Sequence, residues 1–351
     1  MTSATATQPQ LASFEINVNG SPLPLEVAAQ VVNIKVDEDV AVPSMFTIEL
    51  GALDDSEPEI PLLDDEQFAI ANEVEIKLGY GEDVATLLKG EIASLEPEFH
   101  FNHGPRLTVR GYDRRYLLQR GRKTRTFVQK KDSDIVDQIA QESGLQADVV
   151  DSEVTHDYII QANQTDLEFL QSRARQIRYE VIADDRTLLF RPVGNDGSAA
   201  FTISLEDDLL DFYPRLSSLG LAHEVLVRGW NVEEKTAIVG QAGAGDVVST
   251  MGGDNSGADL AEDAAWRVGD RPITTQAEAD QLAQAQLNWS ALSLIRGEGT
   301  CRGRTDLRAG TVLEMSGLGR QFSGQYYVTT TRHCYSAGGY HTYFTVRRSG
   351  V

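Results

Sequence analysis

Between Phe14 and Val109 the apolar side chains fall mostly on every second residue: Val32, Ile34 and Val36; Phe46, Ile48 and Leu50; Val74, Ile76 and Leu78. A period of two marks strands with one buried face, because successive side chains point to opposite sides of a sheet. Acidic, turn-rich connections such as GALDDSEPEIPLLDDEQ (51–67) separate the runs. The first 110 residues therefore read as an antiparallel barrel or sandwich. The last 50 residues return to the same alternation in TVLEMSGLG, SGQYYVTTTRHCY and YHTYFTVRR.

Between these regions the period changes. In KKDSDIVDQIAQESGL, Asp132 or Ser133 can cap a helix that buries Ile135, Val136, Ile139 and Ala140, and Gly144 can end it. A second helix starts where Thr165 and Glu168 have capping-box spacing, and its buried stripe is Leu167, Leu170, Ala174 and Ile177. YEVIADDRTLLFRP then reads as a hairpin turning at Asp184 to Arg186. Residues 112–205 form a mixed α/β unit. Beyond a strand around Val225 and Val227, the glycine-rich run from Gly240 to Gly269 predicts a mobile surface loop. A third helix, capped by Thr275 and Glu278, carries a weak stripe of Ala279, Leu282, Ala283 and Leu287 and is expected to lie over a strand surface.

The two strand regions echo each other. Val74 and Val312 each precede a glycine by five residues (Gly79, Gly317) and another by seven (Gly81, Gly319). Each copy continues into a strand containing Gly90 or Gly324 and closes on Thr-Val-Arg, at Thr108–Arg110 and Thr345–Arg347. Two related β-domains in one chain are implied, with the α/β unit between them. A ring of three such chains would present six similar β-domains while remaining three-fold elsewhere.

The charge is unevenly placed within a net of -22. Residues 1–105 hold 20 Asp and Glu against Lys35, Lys77 and Lys89, a local charge of -17 that would repel a phosphate backbone. RGYDRRYLLQRGRKTRTF (110–127) follows at once, with seven Arg or Lys and one acid. Tyr112, Tyr116 and Phe127 interleave with the arginines as in some single-strand nucleic-acid binders, but the acidic remainder opposes a polyanion path. The favoured reading makes Arg110, Arg114, Arg115, Arg120, Arg122 and Arg125 a junction, joining the first β-domain to the α/β unit or to acidic surfaces of the next subunit. The planar guanidinium fork suits paired carboxylates.

Three segments, VRGYDRRYLLQRGRKTRTFVQKKDSDIVDQIAQESGL, QTDLEFLQSRARQIRYEVIADDRTLLF and GQYYVTTTRHCYSAGGYHTYFTVRR, resemble the phage late control gene D proteins. These are central hub proteins of contractile tails and injection systems, akin to the hub part of the valine-glycine-repeat proteins of type VI secretion. The resemblance spans roughly residues 12–350. It implies a mainly β fold with an α+β insert: two related tube-like antiparallel β-barrel domains with a mixed α/β domain between them. The corresponding division is 1–111, first tube-like domain; 112–205, α/β domain; 206–232, start of the second tube-like domain; 233–291, inserted loop and helix; 292–351, its remainder. It further implies a homotrimer that adapts a six-fold inner tube to a three-fold spike, contacting the tube protein and other baseplate components. Because many relatives continue into a spike and this chain stops at Val351, the spike is expected to be a separate polypeptide.

Enzymatic readings are weaker. The carboxylate pairs Asp54/Asp55, Asp64/Asp65, Asp184/Asp185 and Asp207/Asp208 read as solvated turns, since neighbours on a strand diverge and a glycosidase needs opposed carboxyls. His100 and His103 point to opposite faces of a strand without a third ligand, and His333 and Cys334 diverge likewise. Cys301 and Cys334 form neither a disulfide framework nor a metal cluster. GQAGAGD lacks the lysine of a phosphate loop, and GGDNSGADLAED lacks the alternating ligands of a calcium loop. No catalytic residue, cofactor or metal is expected. The alternatives are a peptidoglycan-degrading baseplate enzyme and a nucleic-acid-binding module. With no run of 18 apolar residues and no basic-apolar leader, the expected setting is cytoplasmic assembly into a tail or injection particle, without membrane insertion.

Overall fold

The computed structural model describes residues 11–51, 66–99, 105–261, 263–269 and 272–351. The first region carries β1 (Ala12–Val18), β2 (Ser21–Pro22), the one-turn helix α1 (Leu25–Ala28), β3 (Val31–Asp39), β4 (Met45–Gly51), β5 (Glu73–Tyr80), β6 (Asp83–Glu98) and β7 (Arg106–Tyr112). The middle region carries β8 (Lys123–Lys131), α2 (Asp132–Glu142), β9 (Gln146–Val149), β10 (Thr155–Gln164), α3 (Asp166–Gln176), β11 (Tyr179–Asp184) and β12 (Thr187–Pro192). The last carries β13 (Thr202–Ser204), β14 (Leu209–Leu216), β15 (Glu224–Asn231), β16 (Thr236–Gly243), β17 (Ala265–Val268), α4 (Gln276–Ala291), β18 (Ile295–Arg302), β19 (Val312–Ser316), the short α5 (Gly319–Phe322), β20 (Gly324–Ser336) and β21 (Gly339–Arg348).

The chain is mainly β, around one large and largely antiparallel sheet. Its strand path runs β14-β18-β21-β20-β3-β4-β7-β6-β5-β1-β2, with β19 and β13 branching from β20. The expected barrels are not closed among the described residues. Closure of the first set would use the outer edge of β3, and that edge is taken by β20, through the register Thr330↔Asp39 to Ser336↔Asn33. Both ends of the chain thus share one sheet. Most of the alternating residues face the cores: Ile34, Val36, Phe46, Ile48, Ile76 and Leu78 are fully buried in the first half, and Leu313, Tyr326, Val328 and Val346 in the second, whereas Val32, expected on the buried face, is exposed at the bulge between Val31 and Asn33.

The internal echo recurs as strand order. In the first half the pairing runs β3-β4-β7-β6-β5-β1, and in the last it runs β14-β18-β21-β20-β19-β13. Two bulges recur with it. One falls between Ile92 and Ser94 and again between Val328 and Thr330; the other between Val31 and Asn33 and again between Leu209 and Asp211. One strand departs, since β1 pairs antiparallel with β5 while β13 is parallel to β19. The registers equate Val74 with Leu313 and Arg110 with Thr345, so the lettered match in the sequence is one residue out in the first strand and two in the last. Glycine makes room for an aromatic ring in each half. A Cβ on Gly111 would come within 2.3 Å of the Phe46 ring, and one on Gly297 within 2.5 Å of the Phe212 ring.

Local signals placed the helices. Thr165 caps α3 by accepting from the Glu168 N–H at 3.1 Å, while the Glu168 carboxylate accepts from the Thr165 N–H. Phe169 adds to the α3 stripe and stacks on Phe127. For α2 the cap moves to Lys131, whose N–H donates to the Asp134 side chain. Asp132, expected as a cap, is buried instead because Arg173 from α3 clasps its carboxylate at 2.6 and 3.0 Å. The α4 stripe packs on β15 and β16, where Gly240 lets the helix backbone approach. The run expected as a mobile loop is partly strand and is tied down. Asp254 and Asn255 N–H groups donate to the Val351 carbonyl, Met251 is buried, and Gly253 abuts the backbone of Gly350 and Val351.

His333 of β20 sits at the junction of the halves, fully buried, with Nδ1 beside the Tyr340 hydroxyl at 2.8 Å and the Thr342 hydroxyl at 3.1 Å. Burial lowers its pKa from 6.5 to about 4. The unfolded chain takes up this proton near pH 6.5 and the folded one only near pH 4, so stability falls as pH drops through that window, by up to about 3 kcal/mol. Denaturant titrations at pH 7 and 4.5 should show a smaller acid loss for His333→Gln than for wild type; equal losses would remove His333 as the cause.

Candidate functional site

The 110–127 stretch threads between the first half of the sheet and the α/β unit. Arg114 and Arg115 open a six-residue 3-10 turn that Asp113 caps, its Oδ1 accepting from the Arg115 N–H at 2.8 Å. Both guanidinium groups are buried, at 2 % and 1 % exposure. Arg115 donates to Asp113 at 2.7 Å and, at 3.1 Å each, to the carbonyls of Val181 in β11 and Asp39 in β3 and to the Ser44 hydroxyl. One side chain therefore bridges sheet and α/β unit. Arg114 pairs with Glu73 of β5 at 3.0 Å and with Glu91 of β6.

The other four arginines lie nearer the surface. Arg110 on β7 pairs with Glu96 of β6 at 2.9 Å. Arg120 lies over the Tyr116 ring, 5.0 Å from its centroid, and donates to its hydroxyl. Arg122 donates to the Asn163 carbonyl and pairs with Glu168 at 2.9 Å. Arg125 pairs with Asp166 at 2.8 Å and with Glu142. All six have partners within the chain, and the aromatic residues among them are packed against it rather than arrayed for stacking on bases.

A second charged knot joins the ends of the chain. Arg308 donates to Glu38 of β3 at 2.7 Å and to the Thr86 carbonyl of β6 at 3.2 Å, and Thr331 of β20 donates to the same carboxylate at 2.8 Å. Burial alone would raise the pKa of Glu38, but the Arg308 guanidinium holds it below the usual range. Glu180, missed in the sequence, accepts from the buried Tyr327 hydroxyl and from Arg191 at 3.0 Å, tying β11 to β20. Apart from Arg191, 11 residues from Glu180, the members of these pairs lie 147 to 293 residues apart, so no local pattern marks them.

Asp184 and Asp185 end β11 and turn the hairpin, with Asp185 at φ 49. Cys301 is buried, which pushes its thiol up to about 12, and Cys334 is raised by burial as well, so neither supplies a thiolate. No group of three or more His, Cys, Asp or Glu converges as a metal site among the described residues. Asp54, Asp55, Asp64, Asp65, His100 and His103 lie outside the described residues. No helix among the described residues is long and apolar enough to cross a membrane.

Replacing Arg115 by Met strands Asp113 and three further acceptors, with an expected loss of about 3–5 kcal/mol. Arg122→Met, at a half-exposed pair, should cost about 1 kcal/mol or less. Urea unfolding of the two variants checks the contrast; similar midpoints would deny Arg115 its clamping role.

The profile of the family described as the Alg8 N-terminal domain matches residues 8–336. No curated protein matches the sequence. The fold is shared with the 43 kDa tail protein of prophage MuSo2 from Shewanella oneidensis, at TM-score 0.73 and 13 % identity over 96 % of this chain and 98 % of that one. A tail protein of Neisseria meningitidis MC58 follows at TM-score 0.69 and 14 % identity, covering 96 % of each chain. A type VI secretion component of E. coli, described as structurally similar to the T4 tail proteins gp27 and gp5, gives TM-score 0.63 and 12 % identity over 95 % of this chain and 77 % of that one. The chain belongs to the Alg8 N-terminal domain family and has the fold of phage tail and type VI baseplate hub proteins.

Proposed function

We propose that this protein is a structural, non-enzymatic hub of a contractile injection system or phage tail baseplate, acting as a homotrimer that adapts a six-fold inner tube to a three-fold spike. The observation that carries the reading is a used edge and its unused counterparts. Within the chain, β20 pairs with β19 through Gly324–Tyr327 and with β3 through Thr330–Ser336. By the internal repeat, β6 is the counterpart of β20 and β14 the counterpart of β3. β6 pairs with β5 only through Asp83–Glu91, so beyond Ile92 it has β7 on one side and no described strand on the other. β14 has only β18.

Among the described residues each chain thus offers an unpaired strand at one end of its sheet and an unfilled place for that strand at the other. Such edges invite pairing. A head-to-tail contact repeated with rotation closes a ring, and three chains give six similar β halves. In this reading each half is a tube-like domain of a ring completed between chains, which accords with the open path of a single chain. Proline normally blunts an edge, and Pro97 of β6 and Pro214 of β14 both lack an N–H. Their counterparts His333 and Val36 face each other on one rung, so the two prolines would interrupt a single rung of the new ladder.

The shared fold with tail and type VI proteins supports this reading, and the tube, spike and other baseplate proteins are the proposed partners. Arg114 and Arg115 would hold the first β half against the α/β unit, while Arg120 and Arg122, exposed on the same stretch, would face the neighbouring subunit. Light scattering of the purified protein, alone and with a candidate spike, should give three times the 38.5 kDa chain mass for the hub. A monomer under both conditions would overturn the trimer.

A further inference from the structure

The used junction and its counterpart can be compared rung by rung. The repeated bulges fix the register: Thr330 corresponds to Ser94, Arg332 to Glu96 and Cys334 to Glu98. On the facing strand, Glu38 corresponds to Leu216, Asp37 to Arg215 and Lys35 to Tyr213. Within the chain Arg332 faces Asp37 and forms an ion pair with it. The equivalent rung between two chains carries Glu96 facing Arg215. The charges are reversed on both members at once.

Resting on the hub reading, we infer that Glu96 of one chain pairs with Arg215 of a second copy, and that this pair fixes the order in which β halves alternate round the ring. Arg215 is exposed and makes no ion pair with any described residue. It begins a row of like charge, facing Arg296 of β18, which faces Arg347 of β21. Like charges directly opposite each other destabilise a sheet. Neither Arg296 nor Arg347 has an ion-pair partner among the described residues; Asp39 lies near Arg347, and Glu298 two residues along β18. The row lacks an acid at the β14 edge, where the neighbouring strand would bring one. Glu96 is exposed there with Arg110 as its present partner, and a carboxylate can accept from two guanidinium groups.

The adjacent rung changes character in the same paired way. Within the chain Thr331 faces Glu38, both polar; between chains Leu95 would face Leu216, both apolar and half-buried. Two rungs on, Glu98 would face the exposed Tyr213. Wrong pairings are penalised. A β6 end placed on β3 sets Glu96 against Asp37 and Leu95 against Glu38, and a β20 end placed on β14 sets Arg332 against Arg215. Specificity comes from these repulsive arrangements as much as from the attractive one.

The test is a charge swap read by mass photometry across a dilution series, with thermal unfolding as the folding control. Arg215→Glu and Glu96→Arg should each raise the concentration at which the trimer dissociates by about tenfold, and the double variant should return within about threefold of wild type. Neutral Arg215→Gln and Glu96→Gln should fall between, and they serve if a reversed charge impairs folding. A wild-type trimer indifferent to the single changes, or a double variant no better than the singles, overturns the pair and leaves the hub standing. A wild-type protein that never assembles, with or without a spike, overturns the hub reading and the pair with it.

Discussion

Glu38 ties β3, β20 and the loop before β19 together where the two halves of the sheet meet. Its carboxylate takes Arg308 from the loop before β19 and Thr331 from β20, while its backbone continues the pairing of β3 with that strand. Because it is buried, removing Arg308 would leave an uncompensated charge, a penalty far greater than the pair's net worth. The charged knot sits where the two halves of the sheet meet. A buried ion pair of this kind contributes more to which strands meet than to how tightly they do, since wrong partners strand the charge. Arg115, held by Asp113, and Glu180 with Tyr327 are buried charged groups at two of the contacts between the α/β unit and the sheet.

Local features were legible in the sequence. Alternation through Ile34 and Val36 or Ile76 and Leu78 reports a buried face within a few residues, and the Thr165–Glu168 and Thr275–Glu278 spacings report helix starts within one turn. Features that depend on distant partners were not. Asp132 has the type and position of a cap, and only Arg173, 41 residues on, turns it into a buried ion. Gly253 marks a close approach to Val351 rather than freedom, which no window around it reveals. The barrels were expected to close within each half because the meeting of β3 with β20, across some 295 residues, leaves no local trace.

The basic stretch was visible as a charge count, and its division of labour was not. Arg114 and Arg115 are neighbours of the same type as Arg120 and Arg122, yet the first two are among the most buried large side chains of the chain. The difference lies in Glu73, Glu91 and Asp113, which stand on strands and turns that the fold brings to them. The acidic first third supplies Glu73, Glu91 and Glu96 and the α/β unit Glu142, Asp166 and Glu168, so charge that looks like a binding surface in one dimension is paired largely within the molecule.

Repetition of the same strand order and the same two bulges within one polypeptide also bears on kinetics. Where two halves are tethered, the contact between β3 and β20 forms as an intramolecular step at high effective concentration, independent of how dilute the chains are. In the proposed ring, six untethered halves would need five bimolecular encounters before the last contact closes it, whereas three duplicated chains need two, and only those depend on protein concentration. In the proposed ring the tethered internal contact is free of selection for reversibility and can be sealed with a buried charge, whereas the outward contact would carry exposed groups that tolerate correction before closure.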